Sequence, residues 1–214
     1  MAEHPQTPLD EHGERAVDEV VLSTSRLEAF SDGVFAIAIT LLVLDLVIGP
    51  SARGHLLRAL ANLWPSYLAY ATSFFMIGLV WMGHHVMVSI STGVDRRLMK
   101  INLALLFAVA FLPFPTRLLG EFITSSAAER VAAVFYGVWM LLISVILTAM
   151  WRYISNGHRL LPDDFRQARI DHIKRYFEPN IALYGFAIAL AFIVPQVAGA
   201  LFLIIAVVGF IRVA

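Results

Sequence analysis

The chain of 214 residues contains no cysteine. Disulfides and thiolate metal sites are therefore excluded, and cysteine usage assigns no redox compartment. Net charge is also absent, with 16 Lys and Arg balancing 16 Asp and Glu. No global field draws the chain to nucleic acid, and no run of basic residues forms a nucleic-acid patch. No H-E-x-x-H, no G-x-S-x-G and no pair of intramembrane aspartates occurs. The usual signatures of zinc-dependent and serine hydrolysis are thus missing, and the chain is not read as an enzyme. The first 25 residues are polar and acidic, with no apolar core after a basic start. A cleavable signal peptide is therefore not expected.

What the sequence has in excess is apolar surface. Hydrophobic residues make up 59% of it and the mean hydropathy is +0.74. Soluble domains hold about 45–50% apolar residues. The charges cluster between long apolar runs, which predicts an all-α membrane protein embedded in the lipid bilayer. Residues 1–24 carry six acids against Arg15 alone and read as an acidic mobile tail. Residues 25–214 read as one transmembrane domain, with Ser23, Thr24 and Ser25 offering N-caps at its start. Six apolar segments follow, at about 27–48, 60–90, 98–119, 127–153, 176–194 and 196–213. Gly49-Pro50 stops the first. Trp64-Pro65 marks the start of the second, because proline is tolerated in a first turn. Pro113 and Pro115 bend or end the third. Pro179 lies near the first turn of the fifth, and Val194-Pro195-Gln196 joins the last two as a tight hairpin. The charged stretch 163–174 reads as a solvated connector in preference to a helical extension.

Six crossings place both termini on one side. Of the 16 basic residues, only Arg53, Arg58, Arg117 and Arg130 fall on the opposite side. The remaining twelve put both termini in the cytoplasm of a cell-membrane protein by the positive-inside rule. Trp64 at one interface, and Trp151 and Tyr153 at the other, fit aromatic anchoring.

The first apolar segment carries the chemistry. At 100° per residue, Phe30, Gly33, Ile37, Leu41 and Leu44 form one stripe, with Thr40 at its edge. Ser31 and Asp32 point away from that stripe. An apolar face of this spacing reads first as ordinary packing or lipid contact. Ala29-x-x-x-Gly33 and Ala36-x-x-x-Thr40 also permit close helix approach. The Thr40 hydroxyl has a local partner in the Ala36 carbonyl, and Asp45 near the outer end reads as a hydrated mouth or interface residue. An acid inside a span is costly and needs a partner. Arg26 is six residues from Asp32, too far for an i,i+4 pair. Depth brings His84, His85 and Asn102 to the level of Asp32. A structural polar knot is favoured over proton sensing, and both over catalysis. Adjacent His84 and His85 point about 100° apart, against a shared metal.

Three stretches resemble the transmembrane protein 175 potassium-channel family. The first is Arg26-x-x-x-Phe30-Ser31-Asp32, continued by Gly-Val-Phe-Ala-Ile-Ala-Ile-Thr-Leu-Leu-Val-Leu. The second is Trp81-Met82-Gly83-His84-His85. The third is Asn102-Leu103 with Leu112-Pro113-Phe114-Pro115-Thr116. The resemblance implies six transmembrane helices per subunit and a homotetramer whose first helices line a central pore. It implies a constriction at Ile37, Leu41 and Leu44 and a part for Thr40 in potassium preference. It also implies an inter-helix network of Arg26, Phe30, Ser31, Asp32, Trp81, His84 and Asn102. Potassium is then the permeant ion, and no cofactor is expected. No T-V-G-Y-G occurs, which excludes a carbonyl filter of the common kind. The alternative reading is a proton-coupled secondary transporter using Asp32 and His84.

Overall fold

A computed structural model describes residues 23–49, 54–125, 128–156, 160–162 and 165–213. Nearly all of the expected acidic tail, residues 1–22, lies outside them. The described residues form helices and connections without strands. Helix α1 spans Thr24–Leu41 and tightens into a 3₁₀ turn over Leu42–Asp45. The short α2 spans Leu56–Asn62, and α3 spans Trp64–Ser89. Helices α4 (Arg96–Phe111) and α5 (Pro113–Phe122) share the third apolar segment. Helix α6 spans Glu129–Ser155, α7 spans Gln167–Ile193 and α8 spans Pro195–Val213.

Among the described residues, four stretches are long and apolar enough to cross a membrane: Thr24–Asp45, Trp64–Ser89, Arg96–Phe122 and Glu129–Ser155. Asn180–Ile193 and Pro195–Ile211 are shorter apolar helices. Helices satisfy their own backbone groups, so this architecture suits a medium without water. The core runs along α6, where Tyr136, Met140, Met150 and Trp151 are buried against α7 and its neighbours. Helix α1 sits at the edge of the bundle and packs on α3 and α4, and lightly on α5.

Proline punctuates this fold. Pro65 lies in the first turn of α3, and Pro195 opens α8 directly after α7. Pro113 breaks the third segment instead of ending it. Its missing N–H leaves the Val109 carbonyl free, and the Leu112 N–H turns to that carbonyl at 3.1 Å. The Ala108 carbonyl then lacks its helical donor. The indole N–H of Trp139 on α6 donates to it at 2.7 Å. A tryptophan from a neighbouring helix thus satisfies the break.

Three expectations are corrected. The first helix leaves α-geometry after Leu41, short of the expected Ile48. The stretch 163–174 is not a loop throughout, because α7 begins at Gln167 and continues through Pro179. Ile170 and Ile173 bring a third apolar side onto the core there, which supports helix beyond the apolar segment. Trp151 is no interfacial anchor, since it is 1% exposed. Gln167 and Ile170 line one cleft with it, so the longer α7 covers the end of α6. Tyr153 instead donates to Asp95, whose other carboxylate oxygen accepts from the Leu98 N–H at 2.8 Å and caps α4.

Trp139→Phe keeps the ring contacts and removes only the donor to Ala108. It is expected to lower stability by about 1 kcal/mol, read as a lower melting midpoint in detergent.

Candidate functional site

Helix α1 has two faces with different surroundings. Ser31, Phe35, Ala38 and Leu42 are buried against α3 and α4. Phe30, Ile37, Leu41 and Leu44 are 56%, 61%, 41% and 66% exposed. Gly33 has nothing within 4 Å of where a Cβ would stand. Ala29, Ala36 and Thr40 are exposed too. The small residues of this face are therefore not packed into any other described helix. Thr40 donates back to the Ile37 carbonyl at 2.9 Å, one residue later than the expected Ala36 partner. Its hydroxyl lone pairs remain on the open face.

The buried face is held by a directed chain of hydrogen bonds. The Asn102 Oδ1 only accepts, so His84 Nε2, 2.7 Å away, must carry the proton. The Asn102 amide nitrogen donates to Ser31 Oγ at 3.1 Å, and Ser31 donates to the Leu27 carbonyl at 2.8 Å. His84, Asn102 and Ser31 are all fully buried. In a low-dielectric site each of these groups is costly without its partner. His84 Nδ1 then carries the bare lone pair and has no hydrogen-bond partner among the described residues. The Phe35 ring packs 5.5 Å from the imidazole.

Asp32 does not join that chain. The single knot expected around it divides in two. The Asp32 carboxylate accepts from the Trp81 indole at 2.7 Å, and Glu28 meets His85 Nδ1 at 2.7 Å. Trp81 and His85 stack with centroids 5.7 Å apart. Glu28 and Asp32 are one turn apart on α1, and Trp81 and His85 one turn apart on α3. The helices run antiparallel, so 28 meets 85 and 32 meets 81. This second group is partly exposed, beside the open face. Arg26 is exposed and its side chain contacts no described partner. Phe30 belongs to the open face rather than to either polar group. Glu28 was missed from the sequence; its i,i+4 spacing from Asp32 is the signal that finds it. No three His, Asp or Glu side chains among the described residues converge as metal ligands.

Asp45 is partly exposed and lines a cleft beside the open face. With Leu42, Leu46 and Val47 it forms one wall of this cleft of about 450 Å³. Thr116, Arg117 and Glu121 of α5 and Asn62, Ser66 and Tyr70 also line it.

A protein from Streptomyces collinus, named as a potassium channel, is 42% identical over 174 residues, covering 79% of this chain and 83% of its own. The family model described as endosomal/lysosomal potassium channel TMEM175 matches residues 26–113. The chain belongs to the TMEM175 family. A second bacterial relative, from Chamaesiphon minutus and also named as a potassium channel, is 39% identical over 173 residues. It is covered over 85% of its length, against 79% of this chain. The crystal structure of a lysosomal potassium-selective channel TMEM175 homologue from the same organism superposes with a TM-score of 0.80 at 36% identity. It covers 88% of this chain and 97% of that one. The TMEM175 match begins at Arg26 and ends at Pro113. It therefore contains both polar groups, the open face of α1 and the break between α4 and α5.

Two substitutions separate the two polar groups. Asn102→Leu strands the buried His84 N–H, removes the donor to Ser31 Oγ and is expected to cost about 1–3 kcal/mol. Trp81→Phe removes one contact to the half-exposed Asp32 and is expected to cost under about 1 kcal/mol. Melting midpoints measured side by side check the order, and a larger loss for Trp81→Phe contradicts it.

Proposed function

We propose that this TMEM175-family chain is one subunit of a potassium-permeable channel, a homotetramer with α1 lining a central pore. The supporting observation is the open face of α1. It carries Phe30, Ile37, Leu41 and Leu44 uncovered, while the opposite face is pinned by buried hydrogen bonds. A fourfold arrangement of such faces brings like residues to one axis. Ile37 to Leu44 then spans roughly 10 Å of that axis at 1.5 Å per residue. Apolar rings of this depth gate by dewetting. Thr40, with lone pairs free on the same face, is the group on it that can replace hydration oxygens of potassium. With no T-V-G-Y-G loop, selectivity rests on these side-chain rings.

In this reading six segments cross the cell membrane, including the shorter Asn180–Ile193 and Pro195–Ile211, and both termini are cytoplasmic. Asp32 with Trp81, and Glu28 with His85, lie between the pore helix and its support. Both bacterial relatives are named as channels, so family membership does not favour the proton-coupled transporter.

Liposomes carrying the purified protein are expected to pass potassium down its gradient faster than sodium. No protein-dependent flux, or equal flux for the two ions, sinks the selective-channel reading. Ile37→Asn and Leu41→Asn hydrate the constriction and are each expected to raise flux several-fold, on the order of 1 kcal/mol off the barrier. Unchanged flux in both removes these residues from the gate. Mass photometry in detergent is expected to show four copies per particle.

A further inference from the structure

The cleft beside α1 is lined by three charged groups, Asp45 on one side and Arg117 with Glu121 on α5. Asp45 stands on the α1 wall and Arg117 on the α5 wall. No ion pair within 4.0 Å joins Asp45 to Arg117. The Asp45 carboxylate receives no hydrogen bond from the described residues. Arg117 leans toward Glu121 at 3.6 Å, and both side chains are more than half exposed. A carboxylate and a guanidinium thus face one another across open space. The volume, about 450 Å³, is within the range of small-molecule sites. Asn62, Ser66, Tyr70 and Thr124 add neutral hydrogen-bonding groups, and Leu42, Leu46 and Leu63 add apolar walls.

We propose that this cleft binds a compact zwitterion, its ammonium on Asp45 and its anionic group on Arg117. Such a ligand satisfies both walls at once. A singly charged ligand engages only one of them, and a cation alone leaves Arg117 with its long, exposed contact to Glu121. The same chemistry is carried by a free amino acid and by an ethanolamine phospholipid headgroup. Binding also has a mechanical effect. The α1 wall ends in a 3₁₀ turn held beyond Leu41 by short-range bonds, Leu46 N–H to Val43 and Val47 N–H to Asp45. Bridging Asp45 to α5 ties that end of α1 to the bundle. Resting on the channel reading, occupancy then opposes sideways movement of Leu41 and Leu44 and lowers flux.

The test uses the full chain in nanodiscs made only of phosphatidylglycerol. Glycine, β-alanine, ethylammonium and acetate are titrated in by calorimetry. Parallel nanodiscs containing phosphatidylethanolamine are followed by melting midpoint. Saturable binding of glycine or β-alanine identifies the soluble source. A raised midpoint with phosphatidylethanolamine alone identifies the lipid. Asp45→Asn and Arg117→Gln are each expected to weaken the response about tenfold, the scale of one lost charge-assisted contact. No zwitterion response, an equal response to ethylammonium or acetate, or full binding in both variants overturns the site. In liposomes the bound probe is expected to lower potassium flux about twofold or more. Flux unchanged on binding overturns the tie to α1. Binding without any flux from the protein overturns the channel reading and leaves the site standing.

Discussion

The hydrogen bond from His84 Nε2 to Asn102 Oδ1 is the constraint on which the rest of α1 depends. An amide oxygen cannot donate, so the bond assigns the imidazole proton. It also turns the Asn102 amino group toward Ser31, and Ser31 toward its own helix at Leu27. One chain of donors therefore crosses from α3 through α4 into α1. Phe35, Ala38 and Leu42 continue the same buried line with apolar contact. With that line fixed, the opposite face has no freedom to turn inward. Its apolar side chains remain uncovered because the helix is held, not because it is loose.

Much of this division was legible from residue spacing. Counting 100° per residue separated Ser31 and Asp32 from the stripe of Ile37, Leu41 and Leu44, and the burial pattern follows that separation. The partner of Asp32 was not legible from depth. Depth along a helix says nothing of the direction in which a side chain points. His84 is at the right level for Asp32 and faces Asn102 instead. The informative pattern was a pair of i,i+4 spacings, Glu28 with Asp32 and Trp81 with His85, on helices running in opposite senses. Arg26 belongs to the motif in sequence, but its side chain makes no hydrogen bond or ion pair with the described residues.

Proline gave mixed guidance for a physical reason. At Trp64-Pro65 and Val194-Pro195 the ring sits where a helix begins and no donor is needed. At Pro113 the cost falls on the Ala108 carbonyl and is offset by a tryptophan from α6, which local sequence does not reveal. At Pro179 the helix continues, because Ile170 and Ile173 hold its earlier turns on the core. The same extension buries Trp151. An aromatic at the end of an apolar run is interfacial only if nothing beyond that run covers it.

The 3₁₀ turn at Leu42–Asp45 has a consequence for phase. A 3₁₀ helix advances about 120° per residue, against about 100° in an α-helix. Over three residues the difference is roughly 60°. Leu44 therefore stands almost directly over Leu41, while Asp45 stands over the buried Leu42. Continued as an α-helix, α1 would swing that carboxylate roughly 60° toward the apolar column. A change in winding over four residues thus keeps a negative charge out of line with the leucines, with no additional side chain needed to hold it there.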